Sequence, residues 1–246
     1  MSDSFDAAGV APTPQTAADA ATDSFHDVRD LDFDPEVGHP RRKLILGIMC
    51  GALILVVSSV SSLNVAIPTI VRALDATQSE QLWIIDAYAL VFAGLLLPAG
   101  ALGDRYGRKR ALMLGLVIFG LAALAATLAT NPEQLIALRA VAGIGAAFIM
   151  PATLSIITVV FPPHERGKAI AAWAGFAGAG GALGPLASGT LLESFWWGSV
   201  FFINVPIVIG MLIAVAIVVP RSREGHGVAL DPVGAVLSII ALGSLV

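Results

Sequence analysis

Uncharged apolar runs alternate with short charged interruptions along the chain: residues 44–71, 87–103, 111–132, 140–163, 169–192 and 194–220 contain no Asp, Glu, Lys or Arg. A bilayer hydrocarbon core of about 30 Å is crossed by about 20 helical residues, so most of these runs suffice alone. Two reach that length only by enclosing a charge, 81–103 with Asp86 and 134–160 with Arg139. None shows the polar position every third or fourth residue expected of a helix on a water-soluble domain. The pattern predicts six membrane-spanning helices.

Composition agrees: 57% of residues are hydrophobic and 13% charged, with a mean hydropathy of +0.84, which excludes an ordinary soluble domain. The net charge of −4 misleads, because the acids are unevenly placed. Residues 1–40 hold nine acids and one base, Arg29, leaving 13 bases against 9 acids in the rest. Residues 1–43 therefore read as a disordered acidic tail with a basic end beside the membrane, too poor in apolar side chains to offset chain entropy. The tail lacks the basic start and apolar centre of a cleaved leader.

Basic residues set the orientation. Arg41, Arg42 and Lys43 precede span 1; Arg105, Arg108, Lys109 and Arg110 join spans 2 and 3; Arg166 and Lys168 join spans 4 and 5; Arg221 and Arg223 follow span 6. The opposite loops hold Arg72 alone. Lys and Arg stay on the cytoplasmic side of short loops, which places the N-terminus in the cytoplasm and Trp83, Trp196 and Trp197 at the outer boundary. Beyond residues 44–219, the expected six-helix half-bundle, residues 220–246 read as a cytoplasmic linker and the start of a seventh helix. From Pro232 to Val246 that helix covers only about 22 Å, so the chain is expected to be the front part of a longer membrane protein; a short interfacial helix is the alternative.

Chemistry-bearing residues cluster at three places. In GALGDRYGRKRAL (100–112), Gly107 permits a sharp reversal and Asp104 can cap the next helix. The plain reading is a tight cytoplasmic turn. Within LIALRAVAGIGAA (135–147), Arg139 lies about five residues inside the membrane, where a cation costs up to about 2.5–3.5 kcal/mol and calls for a partner or a wet cavity. In GFAGAGGALGPLASG (175–189), Gly180 and Gly184 share one face and Pro185 lets the helix bend, which suits close helix packing. Asp86 enters span 2 to the depth at which Arg139 enters span 4, about 7–8 Å from the outer surface. The two charges are expected to pair or exchange partners; the plain alternative leaves Asp86 facing water at the outer mouth.

These segments resemble motifs of the major facilitator superfamily. Residues 100–109 are similar to G-x-L-A-D-R-x-G-R-K, with Gly103 at the usual Ala; residues 135–147 to L-x-x-x-R-x-x-Q-G-x-G-A-A, with Ala142 at the Gln; and residues 180–189 to the antiporter motif G-x-x-x-G-P-x-x-G-G, with Ser188 at the first of the final glycines. LNVAIP, QLWIIDAYALVFAG, IMPATLSII and LLESFWWGSVFFINVP resemble the fourteen-span drug:proton antiporter branch over about residues 44–235. The resemblance implies an all-α membrane fold: the N-terminal half of a major facilitator, built as two inverted three-helix repeats, plus an incomplete seventh helix. It further implies a conformational latch from Gly100, Asp104, Arg105, Gly107, Arg108 and Lys109, and export direction from Gly180, Gly184, Pro185 and Gly189. One departure stands out: the branch carries an acid five positions before the Asn of span 1, and here that position is Ser59, with Ser61 where Thr is usual.

The implied function is proton-coupled efflux of lipophilic, cationic drugs or biocides across the cytoplasmic membrane. Asp86 and Arg139 would couple protons to substrate, and Asn64 and Tyr88 would line the substrate cavity. The expected partners are the small-molecule substrate, protons, the lipid bilayer and the C-terminal half of the transporter, without nucleic acid; one lobe alone is not expected to transport. Export of a dedicated metabolite or antibiotic is the alternative, and a non-transporting or regulatory half-transporter is the alternative of another class. An enzyme is not expected. His26, His39, His164 and His226 sit in the tail or loops, no HExxH spacing or phosphate-binding Gly-rich loop occurs, and the single Cys50 forms no metal or redox motif. No cofactor or metal is therefore expected.

Overall fold

The computed structural model describes residues 33, 34 and 36–220. The expectations for residues 1–32, and for the linker and seventh helix from Arg221 onward, lie outside the described residues. Within them all regular structure is helical: α1 (Arg42–Leu74), α2 (Gln78–Tyr106), α3 (Arg108–Ala126), α4 (Pro132–Val160), α5 (Pro163–Ser194), α6 (Ser199–Phe202) and α7 (Asn204–Val218). The short α6 and α7 together make the sixth crossing, Ser199–Val218, so six helical segments are long and apolar enough to span a bilayer. Lipid offers backbone groups no water to bond, and a helix satisfies its own donors and acceptors.

Capping chemistry, not the last charge, sets the ends. Before α2, Thr77 and Glu80 form a reciprocal capping box: Glu80 N donates to Thr77 Oγ1 at 3.3 Å and Thr77 N donates to Glu80 Oε2 at 2.7 Å. Asp75, at φ 53°, closes α1 in the left-handed region and donates its N–H to Val71. The third crossing differs from the uncharged run 111–132 that predicts it. It starts at Arg108 and ends at Ala126, because Asn131 caps α4 by accepting from Gln134 N at 2.9 Å and Pro132 occupies its first turn. Gly107, at φ 110°, makes the reversal between α2 and α3; an L side chain is strained there.

Packing follows the internal repeat. α2 lies chiefly on α4 and α1 chiefly on α5, the pairing expected if helices 1–3 and 4–6 are related by a two-fold axis in the membrane plane. α4 also packs on α3, and α7 covers α3 and α1. Lipid tails are as apolar as leucine, so helix contacts depend on close van der Waals fit between small residues. A Cβ on Gly145 would lie 2.7 Å from the Phe119 nitrogen of α3, and one on Gly143 would lie 2.6 Å from the Tyr88 carbonyl oxygen of α2. These approaches bring α2 and α3 onto opposite sides of α4.

At one end the segment before α1 straps the bundle. His39 N donates to the Val160 carbonyl at 2.9 Å, and Arg42 grips Glu165 at the start of α5 through Nε (2.8 Å) and Nη2 (3.2 Å). Burial, with help from the Arg41 charge, holds His39 below the usual imidazole range. The neutral ring suits its Nδ1, which accepts from Arg41 N at 3.0 Å.

The expected orientation has a direct check. Asn131→Cys and Phe195→Cys should react with a membrane-impermeant maleimide on intact cells, and Arg105→Cys only after permeabilisation; Cys50, 2% exposed, adds little background. The reverse labelling pattern would overturn the orientation.

Candidate functional site

Arg139 is 2% exposed and sits where α1, α2 and α4 meet. Its Nε donates to the Ile84 carbonyl of α2 at 3.2 Å, and Nη1 makes a long 3.4 Å contact to Ser59 Oγ of α1. The Tyr88 ring lies under the guanidinium, 4.4 Å from Cζ to the ring centroid. That ring is fixed in turn: its hydroxyl donates to the Val56 carbonyl at 3.3 Å and its face stacks on Phe92 at 6.2 Å. A desolvated cation–π contact contributes about 2 kcal/mol, and a hydrogen bond to a charged group about 1.5–3 kcal/mol. The cation is thus held by a ring, a carbonyl and a hydroxyl.

The expected pairing of Arg139 with Asp86 is not made in this conformation; no ion pair joins them among the described residues. The reason is helical phase. Ile84 and Tyr88, four apart, share the buried face of α2 that meets Arg139, whereas Asp86 lies two residues from each, about 200° around the helix. Asp86 is half-buried on the other side. Tyr88 also departs from expectation. Expected to line the substrate cavity, it is 1% exposed and serves as the floor beneath Arg139. Asn64 is exposed on α1.

In the reversal between α2 and α3, Asp104 does not cap α3 through a backbone N–H. It accepts from Arg108 Nε at 3.1 Å and from Ser155 Oγ of α4 at 3.2 Å, so the carboxylate ties the turn to α4. Lys109 Nζ donates to the carbonyls of Ala216 (2.8 Å) and Val219 (2.7 Å), capping the end of α7. Gly100 faces Pro151 of α4, at 3.4 Å from a built Cβ. Arg105 is exposed and stacks over Tyr106 at 5.5 Å. The cluster therefore fastens α2, α3, α4 and α7 together at one end.

Along α5 the glycines divide. A Cβ at Gly184 would meet Ser61 Oγ and lie 2.6 Å from the Ser58 carbonyl, and one at Gly180 would lie 3.1 Å from Val57 Cβ. Ser61 Oγ also donates to the Gly180 carbonyl at 3.3 Å. Gly189 has open space around it, and Pro185 is half-buried inside the helix. Among the described residues no group of His, Cys, Asp and Glu could hold a metal ion. The bonds of Ser59, Ser155, Lys109 and Arg42 escaped sequence reasoning, since each joins residues 51 or more positions apart.

Six membrane-length helices, a hydrogen-bonded basic reversal and a buried intramembrane cation define a polytopic membrane protein. Comparison with known proteins narrows this. Residues 49–245 match the Major Facilitator Superfamily. The methyl viologen resistance protein SmvA of Salmonella typhimurium is 47% identical over 84% of this chain and 42% of its own length. The multidrug efflux pump LfrA of Mycolicibacterium smegmatis is 39% identical over 82% of this chain and 40% of its own length. The puromycin resistance protein pur8 of Streptomyces alboniger is 36% identical over 84% and 41%. A peptide transporter crystallised with sulfate shares the fold at a TM-score of 0.68 and 16% identity, over 90% of this chain and 48% of that one. The chain belongs to the Major Facilitator Superfamily, a family of transporters and not of enzymes. It spans about two-fifths of the length of these curated relatives.

Gly184→Ala should destabilise the bundle by about 1–3 kcal/mol, the cost of overpacking a tight contact, whereas Gly189→Ala, in open space inside a helix, should leave stability unchanged or raise it by up to about 1 kcal/mol. Thermal unfolding of the purified variants in detergent checks both. Equal effects would remove the α1–α5 contact from the account.

Proposed function

We propose that this chain forms the N-terminal lobe of a proton-driven efflux antiporter in the cytoplasmic membrane, exporting lipophilic cations. The observation that carries the reading is the likeness to a methyl viologen resistance protein across 84% of the chain. Contact geometry supports it. Gly180 and Gly184, in the segment resembling an antiporter motif, lock α5 onto α1, while Asp104 ties α2 to α4 and Lys109 ties α3 to α7. The lobe is then stiff enough to rock as one body against a second lobe, as alternating access requires. Substrate would bind near the bilayer midplane against a second lobe, with exposed Asn64 of α1 on the near wall. Asp86, half-buried and outside the Arg139 cluster, remains the candidate proton carrier.

A second reading is export of a dedicated antibiotic. It is favoured by 36% identity to a methylenomycin A resistance protein of Streptomyces coelicolor and 39% to the cephamycin export protein CmcT of Amycolatopsis lactamdurans.

Efflux assays separate the two. Pump-deficient bacteria producing the protein with a complete second lobe should tolerate methyl viologen and expel ethidium, and a protonophore should abolish expulsion. Asp86→Asn should cut the rate at least about tenfold, whereas the 246-residue chain alone should give no export. Protection against methylenomycin or cephamycin without protection against methyl viologen would select the second reading.

A further inference from the structure

Arg139 has five N–H donors, and the structure shows where they go. Nε donates to the Ile84 carbonyl and Nη1 to Ser59 Oγ, while Nη2 is buried with no hydrogen-bond partner. The Tyr88 ring covers the guanidinium. None of these three groups carries a full negative charge, and no carboxylate among the described residues is paired with Arg139. A cation this deep, at 2% exposure, is costly unless an opposite charge accompanies it.

Ser59 stands beside it, 6% exposed. Its Oγ accepts from Arg139, which leaves the hydroxyl hydrogen to donate. Two kinds of donor therefore lie close together where α1 meets α4: a guanidinium nitrogen without an acceptor, and the hydroxyl of the serine that its sister nitrogen contacts. The complement of that pair is a small group that only accepts hydrogen bonds and carries one negative charge.

We propose that Arg139 and Ser59 form an intramembrane site for a monoanionic acceptor, either a free halide or the carboxylate of a transported molecule. The bound anion completes the guanidinium's hydrogen bonds and cancels its charge. A cationic substrate moving past this lobe then meets no net repulsion from Arg139. In its free-halide form the site does not depend on which substrate is exported. Its test reads binding and not efflux, so failure of either proposal leaves the other standing.

The experiment is thermal unfolding of the purified full-length protein in detergent at constant ionic strength, with chloride or acetate replacing the bulky anion isethionate. Ser59→Asp and Arg139→Gln are measured in parallel. Wild type should rise by about 5 °C at saturating chloride or acetate. Ser59→Asp, whose own carboxylate fills the site, should unfold at the same temperature in every anion, as should Arg139→Gln. A response to chloride alone supports a free halide, and one to acetate alone a substrate carboxylate. No wild-type response to either anion overturns the proposal and leaves water or a carboxylate from elsewhere in the protein as the partner. An undiminished response in either folded variant overturns it too. If Arg139→Gln fails to fold, Ser59→Asp decides alone.

Discussion

Helix backbones approach here until a single added carbon would collide. A Cβ on Gly143 would reach the α2 backbone at 2.6 Å, and one on Gly184 would reach the α1 backbone at 2.6 Å. In lipid, where burial of apolar side chains gives little drive for association, that closeness supplies the dispersion energy that holds helices together. It also dictates position. With α2 pressed against α4, the Ile84 carbonyl and the Tyr88 ring lie within bonding reach of Arg139, and α1 adds Ser59. The ring, carbonyl and hydroxyl around the intramembrane cation are set in place by that packing.

The chemistry at the α2–α3 reversal and the chemistry around Arg139 are connected through the same helices. Asp104 bonds Ser155 of α4, and Arg139 lies on that helix. Gly107, in a backbone conformation closed to other residues, sets the angle between α2 and α3 from which Asp104 and Lys109 reach their partners. Movement of α2 relative to α4 would disturb both sites at once. That gives the fold a physical route by which a charge event at Arg139 could reach the α2–α3 reversal.

Much of this was legible in sequence because lipid imposes one-dimensional rules. A run's length decides whether it crosses, and Gly107, Gly180 and Gly184 announce turns and close contacts by their spacing. Capping was less visible: the third crossing stops at Ala126 and not at residue 132 because Asn131 belongs to the next helix. Pairwise chemistry was least visible. Depth alone put Asp86 and Arg139 together, yet a helix distributes residues by angle as well as height, and a two-residue offset from Ile84 turns Asp86 away. Tyr88, expected at the cavity, is 1% exposed for the same reason. Its place on the face between Ile84 and Phe92 directs it at α4.

The claim most in need of measurement is the α2–α4 contact that sets the Arg139 cluster. With Cys50→Ser as background, Gly100→Cys and Pro151→Cys place two thiols where a built Gly100 Cβ lies 3.4 Å from Pro151 Cβ, close to the separation a disulfide spans. Mild oxidation of membranes should cross-link this pair, leaving both thiols blocked to maleimide in denaturant until a reductant is added. The control pair Gly100→Cys with Gly189→Cys should stay reactive. Free thiols in the first pair together with blocked thiols in the control would contradict the packing of this lobe.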